Sequence, residues 1–323
     1  MTLPPEFTRR GLLAATGAAG LLAASGLHPA AAQTAPRWAI GPDARRIRVG
    51  GFEVLTLLDG ATVRENPAGI FGTDQPPEAV AALLAQNFLP ADRALFVFTP
   101  TVVRAGAETV LFDTGLGAGA RGGGMGRTAE LLAANGIAPE AVTTVVLTHF
   151  HGDHIGGMAE GGAPAFPNAR IVTSRIEYDF WTHPDRLSGR TENTARAVQA
   201  NVVPQAERIS FIEPGQTVVP GIEAVAAHGH TPGHLAFHLE SEGQRFMITA
   251  DACNHYVLSL QRPDWHVVFD MDKEAAARTR KSLFGMLAAD RVPFIGYHFP
   301  SIGFVEPLGE GFRFVPATYQ FDV

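Results

Sequence analysis

The stretch His149-Phe150-His151-Gly152-Asp153-His154 places four potential metal ligands within six residues. Imidazole and carboxylate groups together suit Zn²⁺ or a similar divalent ion. The preceding run, Val145-Val146-Leu147-Thr148, is mostly apolar and β-branched, which predicts a buried strand. Because Gly152 lets the backbone turn sharply after that strand, the neighbouring side chains can converge on one point. The stretch therefore predicts a metal site at the end of a buried strand.

Three later strand-like segments also end in potential ligands. The run 225–227 leads into a Gly/Pro turn that carries His228, His230 and His234, the run 247–250 ends at Asp251, and the run 294–297 ends at His298. In open α/β structures, ligand-binding groups gather at the carboxyl ends of strands. Four separate strands therefore each deliver a candidate ligand where a shared site is expected.

This pattern resembles the metallo-β-lactamase superfamily of hydrolases, whose HxHxDH signature is present as His149, His151, Asp153 and His154. The resemblance runs from about Arg46 to the end of the chain and implies an α/β fold, the αββα sandwich. It also implies two divalent metal ions, with zinc expected and manganese, cobalt or iron as alternatives. By this resemblance, His149, His151 and His230 hold the first ion, Asp153, His154 and His298 hold the second, and Asp251 bridges both.

The resemblance also implies a reaction. Two neighbouring cations lower the pKa of a shared water enough to make hydroxide near neutral pH, which can then attack an ester carbon or a phosphorus atom. Asp153 or Asp251 is expected to pass a proton to the leaving group. Asp113, in the family-like sequence Phe112-Asp113-Thr114-Gly115, is expected to orient a ligand histidine, and His234 to brace a ligand without binding metal.

The substrate class is less constrained than the chemistry. The ligand set disfavours β-lactam hydrolysis and leaves lactone, organophosphate and glyoxalase II-like thioester hydrolysis open. The segment 298–316 is similar to that of methyl parathion hydrolase, and Trp181 falls where that enzyme has a pocket aromatic. N-acyl-homoserine lactonases usually place a tyrosine where this chain has Asn254, followed by His255. We therefore predict an enzyme that hydrolyses lactones or related small-molecule esters, with substrate contacts from Trp181, Asn254 and His255.

Composition narrows the class of protein further. The net charge is −7 and no basic run is present, which argues against nucleic acid partners. The lone cysteine, Cys253, cannot form an intrachain disulfide, so the fold must depend on its core and its metals. Since 46% of the residues are hydrophobic, the chain can bury a substantial core as one domain. Cys253 is interpreted as an inert core residue, and a non-catalytic scaffold is disfavoured because all seven ligands are present.

The N-terminus predicts export. Thr8-Arg9-Arg10-Gly11-Leu12-Leu13 begins a signal of the twin-arginine kind, followed by an Ala/Gly/Leu-rich run and the cleavage-like Ala30-Ala31-Ala32. The expected organisation is a signal peptide at 1–32, an extension at 33–45 and the hydrolase domain at 46–323. A periplasmic or secreted enzyme is expected, without a stable membrane anchor, and a homodimer is kept as an open expectation.

The coarse secondary structure fits the sandwich. Strands are predicted at 46–58, 94–104 and 109–112, and again between 208 and 249, whereas helices are predicted at 126–135, 174–181, 192–202 and 273–289. Gly136 is a plausible C-terminal cap for the first helix. Strands followed by helix and strands again, twice over, are typical of this architecture.

Overall fold

Two seven-stranded sheets organise the part of the chain that the computed structural model describes, residues 43–318. The predicted signal peptide and most of the extension lie outside the described residues. The α-helices of the described range are α1 (Pro77–Gln86), α2 (Thr128–Ala134), α3 (Gly152–Ile155), α4 (Arg175–Thr182), α5 (Glu192–Asn201), α6 (Leu258–Gln261) and α7 (Lys273–Asp290).

The first sheet has the order β1-β2-β5-β6-β7-β10-β11, and the second runs from β12 to β18 in chain order. The strands of the first sheet are β1 (Ala44–Val49), β2 (Phe52–Leu57), β5 (Thr101–Ala105), β6 (Glu108–Phe112), β7 (Thr144–Val146), β10 (Arg170–Thr173) and β11 (Ile209–Phe211). Those of the second sheet are β12 (Thr217–Val219), β13 (Ile222–Ala226), β14 (Leu235–Ser241), β15 (Gln244–Ala250), β16 (Phe294–Gly296), β17 (Gly303–Leu308) and β18 (Gly311–Pro316). Two short ribbons pair β3 (Gly60–Glu65) with β4 (Arg93–Phe98), and β8 (Ala159–Glu160) with β9 (Ala163–Pro164).

The two sheets share one buried core. Val103 and Phe112 of the first sheet belong to the same apolar cluster as Phe237 and Phe246 of the second, and the Phe112 and Phe237 rings lie 5.1 Å apart. A second cluster lies on the other face of the first sheet, where helices α2, α4 and α5 contribute apolar side chains. Helix α7 packs against β17 and β18 of the second sheet. The α/β architecture is therefore the predicted αββα sandwich.

The structure divides two of the predicted strands, since the run 94–104 forms β4 of the ribbon and β5 of the first sheet. The run 46–58 forms a hairpin, because Gly50 has a positive φ of 56° and a Cβ there would lie 2.2 Å from the Ser241 carbonyl oxygen. The four predicted helices are present within one or two residues of their expected ends, and Gly136 has a φ of 73° just beyond α2. Helix α1 and strand β3 were not predicted, and residues of α1 and β4 belong to a third apolar cluster beside the site.

The fold brings four strand ends to one place. Strand β7 leads to the His149 motif, the β13–β14 turn carries His230, β15 ends next to Asp251, and β16 ends two residues before His298. The first of these strands is in one sheet and the other three are in the second, so the site lies at the edge where both sheets end.

Among the described residues, none of the helices combines the length and the apolar character that a membrane span requires.

Candidate metal centre

Two groups of side chains meet at this edge. In the first group, the His149 Nε2 and His230 Nε2 atoms lie 3.0 Å and 2.9 Å from His151 Nδ1. In the second group, Asp153 Oδ2 lies 3.5 Å from His154 Nε2 and 3.6 Å from His298 Nε2. The ligand atoms within each group lie close enough together to hold a single ion.

Asp251 lies between the two groups. Its Oδ2 atom is 3.3 Å from His230 Nε2 in the first group, and its Oδ1 atom is 3.4 Å from His154 Nε2 in the second. The same Oδ2 is 3.1 Å from His298 Nε2. The structure thus brings together all seven residues that the resemblance implied as ligands, with the aspartate in the position a bridging ligand needs.

Four of the five histidines are held in the same tautomer. A neutral imidazole carries one proton, so an acceptor at Nδ1 leaves a lone pair on Nε2. The four Nδ1 contacts are His149 to Thr148 Oγ1 at 3.1 Å, His154 to Asp113 Oδ2 at 2.8 Å, His230 to Asp270 Oδ1 at 3.0 Å and His298 to the Val97 carbonyl at 2.9 Å. Each Nε2 lone pair therefore faces the centre, as a metal ligand requires.

The electrostatics of the centre also fit a pair of cations. Among residues 43–318, His154 Nε2 and Asp251 Oδ1 are buried and have no hydrogen-bond partner. Burial and neighbouring imidazoles hold the pKa of His149 and His151 well below the usual range. Burial also opposes protonation of His230, but Asp251 and Asp270 raise its pKa to about 9. Divalent ions would satisfy the unpartnered atoms and displace such protons.

Asp113 supports the second group as expected. Its carboxylate accepts hydrogen bonds from the Thr148 backbone N–H and hydroxyl, both at 2.9 Å, besides the one from His154. Asp113 has a φ of 60°, and Ala250, directly before Asp251, has a φ of 44°. Such conformations are costly for residues other than glycine and cluster at functional sites, where the surrounding structure enforces them.

Sequence reasoning missed the residues that support His230. Asp270 Oδ2 accepts from Nη1 of Arg280 at 2.7 Å, and Arg280 is fully buried on α7. The arginine also donates Nε to the Pro263 carbonyl at 2.9 Å. The buried Arg280–Asp270 ion pair therefore holds the Asp270 carboxylate in the position from which it orients His230. A charged residue on the inner face of α7 was the available signal, since arginine is almost never fully buried without a partner.

Comparison with known proteins agrees with this geometry. The family model described as the metallo-beta-lactamase superfamily matches residues 99–294, which is more than half of the chain. The chain belongs to the metallo-β-lactamase superfamily. The predicted resemblance to this superfamily, and with it the predicted fold, is thereby confirmed.

Relatives within the superfamily include lactonases. An N-acyl homoserine lactonase from Bacillus sp is 30% identical over 127 residues, which are 39% of this chain and 44% of that protein. The match thus spans less than half of the length of that curated relative. The solved structure of AidC, a dizinc quorum-quenching lactonase in complex with its product N-hexanoyl-L-homoserine, is 27% identical with a TM-score of 0.75, and covers 85% of this chain and 98% of its own. The hydrolase AbOPH is 25% identical with a TM-score of 0.78, and covers 86% and 98%.

In this metallo-β-lactamase-superfamily protein, His234 and Asn254 both hold Asp251. His234 donates from Nδ1 to the Ala227 carbonyl at 2.9 Å, and its Nε2 accepts from the Asp251 backbone N–H at 3.1 Å. Asn254 donates from Nδ2 to Asp251 Oδ2 at 3.0 Å and is 2% exposed. Both ring nitrogens of His234 are thus occupied, so it braces the centre, and Asn254 orients the aspartate where a substrate contact had been predicted.

Trp181 is part of the core of this superfamily member. Its side chain is 2% exposed, its Nε1–H donates to Glu177 Oε1 at 2.7 Å, and its ring meets that of His151 edge to face at 6.0 Å. It does not line the cavity described below, so its influence on the site passes through His151.

Cys253 is also fully buried, and burial raises the pKa of its thiol to about 12, which agrees with an inert role.

His255, by contrast, lines a cavity of about 660 Å³ that opens beside His298. Its Nδ1 accepts the backbone N–H groups of Val257 and Leu258, both at 3.1 Å, so the ring proton is on Nε2. Burial lowers the pKa of His255 to about 3, which keeps the ring neutral. Most of the remaining wall is apolar and comes from the β3–β4 ribbon, α1 and the residues after it: Val63, Leu84, Leu89, Pro90, Ala94, Leu95 and Val97.

Proposed function

We propose that the protein is a dinuclear zinc hydrolase that opens N-acyl-homoserine lactones or closely related lactones. The observation that carries the proposal is that the seven-residue centre adjoins a mostly apolar cavity, with His298 belonging to both. Relatives whose names specify lactonase activity support the substrate class.

The residues present fit two zinc ions. Imidazole nitrogens and carboxylate oxygens are zinc ligands, and three or four of them for each ion leave coordination positions open for catalysis. His149, His151 and His230 would hold one ion, Asp153, His154 and His298 would hold the other, and Asp251 would contact both. When bound, the ions would make a nucleophile of water near neutral pH and polarise the oxygen of the scissile bond.

The cavity supports a substrate with an apolar tail. Its volume of about 660 Å³ lies in the range of small-molecule sites, which are concave and mostly lined by apolar side chains. A tail held there lies against Leu84, Leu89 and Val97, and the head of the substrate reaches His298. Each buried methylene contributes about 0.8 kcal/mol, so the cavity favours longer acyl chains until it is filled.

Two polar side chains are placed to act on the head of the substrate. Asp153 is 21% exposed whereas Asp251 is 3% exposed, so Asp153 Oδ2 is the more accessible carboxylate to carry a proton to the leaving oxygen. The Nε2–H of His255 is a neutral donor in the cavity wall, where it can bind a carbonyl oxygen. His255 thereby supplies a donor directly after Asn254, the position at which N-acyl-homoserine lactonases usually have a tyrosine.

A substrate panel on the zinc-loaded protein tests this proposal. The panel contains N-acyl-homoserine lactones with four, six and ten acyl carbons, a simple γ- and δ-lactone, an aryl ester, methyl parathion, a glutathione thioester and a β-lactam. We expect the acyl-homoserine lactones to have the highest kcat/KM, with a rise from four to ten carbons. Lactones turned over no faster than the β-lactam would rule out the substrate class, and methyl parathion or the thioester leading the series would replace it.

The sequence also supports a proposal about location. We propose that the protein is exported by the twin-arginine route and acts outside the cytoplasm, on the basis of Arg9-Arg10 and the apolar run that follows. Substitution of both arginines by lysine is expected to leave the full-length precursor in the cytoplasmic fraction. Processing of the lysine variant at the parental rate would exclude this route.

A further inference from the structure

Glu177 is a fully buried carboxylate that the proposed reaction does not use. It lies on α4, which follows directly on β10. Ser174 caps the start of this helix, because its hydroxyl oxygen accepts the Ile176 backbone N–H. The Glu177 side chain is 0% exposed, and within the described part of the chain it forms no hydrogen bond with a cationic side chain. A buried charge of this kind requires several hydrogen bonds to compensate for the loss of water.

Three of the four hydrogen bonds that Glu177 accepts come from two different loops, and the fourth comes from Trp181 of its own helix. Its Oε1 atom accepts the Phe150 backbone N–H at 3.0 Å, together with Trp181 Nε1 at 2.7 Å. Its Oε2 atom accepts the Thr231 hydroxyl and the Gly233 backbone N–H, both at 2.8 Å. One oxygen therefore contacts the loop that follows β7 of the first sheet, and the other contacts the β13–β14 turn of the second sheet.

The residues that Glu177 contacts are direct neighbours of metal-facing histidines. Phe150 lies between His149 and His151, and Thr231 follows His230. The His151 and His230 nitrogens that face each other are 2.9 Å apart although their loops belong to different sheets. Gly233 permits the close approach, because a Cβ there would lie 2.3 Å from the Glu177 backbone nitrogen.

We propose that Glu177 is a positioning residue that joins the two loops and so sets the geometry of the His149–His151–His230 group. This inference rests on the metal pair of the proposed function and is independent of which ester is the substrate. The Glu177 carboxylate forms no hydrogen bond with the second group, which consists of Asp153, His154 and His298. Loss of the carboxylate should therefore affect one ion and spare the other.

Glu177→Gln tests the proposal with almost no change in volume. The amide nitrogen of glutamine donates hydrogen bonds, and in either orientation it would face donors of one of the two loops, so that loop is released. Supporting partners of metal ligands typically contribute about 10- to 100-fold to metal affinity. We expect the affinity for one of the two zinc ions to fall by about this factor and the other to stay within about twofold.

The readouts are chosen to separate positioning from folding. Zinc affinities are measured by competition with a chelator, and the ligand-field spectrum of the cobalt-loaded protein reports the coordination geometry. The thermal midpoint of the metal-free protein reports the fold alone. Glu192→Gln, on the neighbouring helix, is the matched control, since Glu192 is partly exposed and pairs with Arg196 on the surface of the same helix.

The outcomes are distinct. Parental zinc affinities and an unchanged cobalt spectrum in Glu177→Gln would overturn the role of Glu177 while leaving the proposed function intact. A parental protein that binds no metal would overturn both. If Glu177→Gln does not fold, Thr231→Val removes one of the hydrogen bonds on the His230 side and leaves the Glu177 carboxylate in place. A several-fold loss of affinity at one ion in Thr231→Val supports the proposal, and no loss contradicts it.

Discussion

The metal centre and the apolar cavity share His298 but are built in different ways. In the centre, four imidazoles are each held by a hydrogen bond at the nitrogen that faces away from the metal. The cavity wall consists mostly of apolar side chains from the β3–β4 ribbon, α1 and the residues that follow it. A polar network tolerates little change, whereas an apolar surface of suitable volume tolerates much. The comparison indicates that the reaction is fixed by the centre and the choice of substrate by the cavity.

The strongest test of the comparison is removal of a ligand from the centre. His151→Ala deletes the imidazole whose Nδ1 lies within 3.0 Å of two others. Metal polarisation contributes several kcal/mol to a hydrolytic transition state, and about 1.4 kcal/mol corresponds to a factor of ten, so kcat/KM should fall by at least about 1,000-fold. Asp251→Ala should behave in the same way. The measurement is steady-state hydrolysis of the best lactone with zinc in excess.

His238→Ala is the control for this prediction. His238 lies in the middle of β14, and no described metal group includes it. The control should keep nearly parental activity, and circular dichroism should show all three variants folded. Near-parental turnover by metal-replete His151→Ala would show that the centre is not where the reaction occurs.

A smaller effect is expected one step away from the ligands. Asp270→Asn retains the shape of the side chain but places an amide between His230 and Arg280. Metal affinity should fall by about 10- to 100-fold. Because Arg280 would then be a buried cation without its carboxylate, the free energy of unfolding should fall by about 3–5 kcal/mol.

Chelator competition and urea denaturation measure the two parts of this prediction. Asp290→Asn is the matched control, since Asp290 pairs with Arg245 at 2.9 Å on the surface, where both side chains are substantially exposed. Surface pairs of this kind contribute little to stability. Equal unfolding free energies for Asp270→Asn and Asp290→Asn would contradict the structural role of the buried pair.

The sequence was informative about the centre because its ligands are concentrated near strand ends. The HxHxDH motif and three later strand ends, taken with the family resemblance, predicted seven ligands, and the structure brings these seven side chains together. Asp113 and His234 were expected to support ligands, and they contact His154 and the backbone N–H of Asp251. Such a pattern can be recognised in a sequence because strand ends and turn glycines are local features. The sandwich was implied by the resemblance, and the predicted order of strands and helices is consistent with it.

The supporting carboxylates and the cavity could not be read in this way. Asp270 and Glu177 reach the centre only through tertiary contacts, 40 and 27 residues from the groups they hold. The cavity depends on α1 and the β3–β4 ribbon, whose apolar residues carry no chemical motif. Trp181 illustrates the limit, because its aromatic side chain was predicted to contact substrate and instead lies in the core behind His151.

At the boundary between centre and cavity, His255 should have an intermediate effect. In His255→Asn, the amide oxygen can replace Nδ1 as the acceptor for the Val257 and Leu258 N–H groups, but the Nε2–H donor is lost. One hydrogen bond contributes about 0.5–1.5 kcal/mol, so kcat/KM for lactones should fall by up to about tenfold. His255→Gln places a donor near the position of Nε2 and should restore part of the loss. Equal rates for His255→Asn and the parent would exclude a substrate contact.

The smallest effect is expected in the cavity wall, where it should appear as a change of preference. Leu89→Ala removes apolar surface from the wall, so a long acyl chain gains less on binding than it does in the parent. At about 0.8 kcal/mol for each methylene that loses its contact, the ratio of kcat/KM for ten-carbon over four-carbon substrates should fall about fourfold. The rate for the four-carbon substrate should stay near the parental value. Leu187→Ala, at an exposed leucine outside this cavity, is the control. An unchanged ratio in Leu89→Ala would show that the acyl chain lies elsewhere, because the metal centre alone has no means of distinguishing substrates by the length of a remote apolar tail.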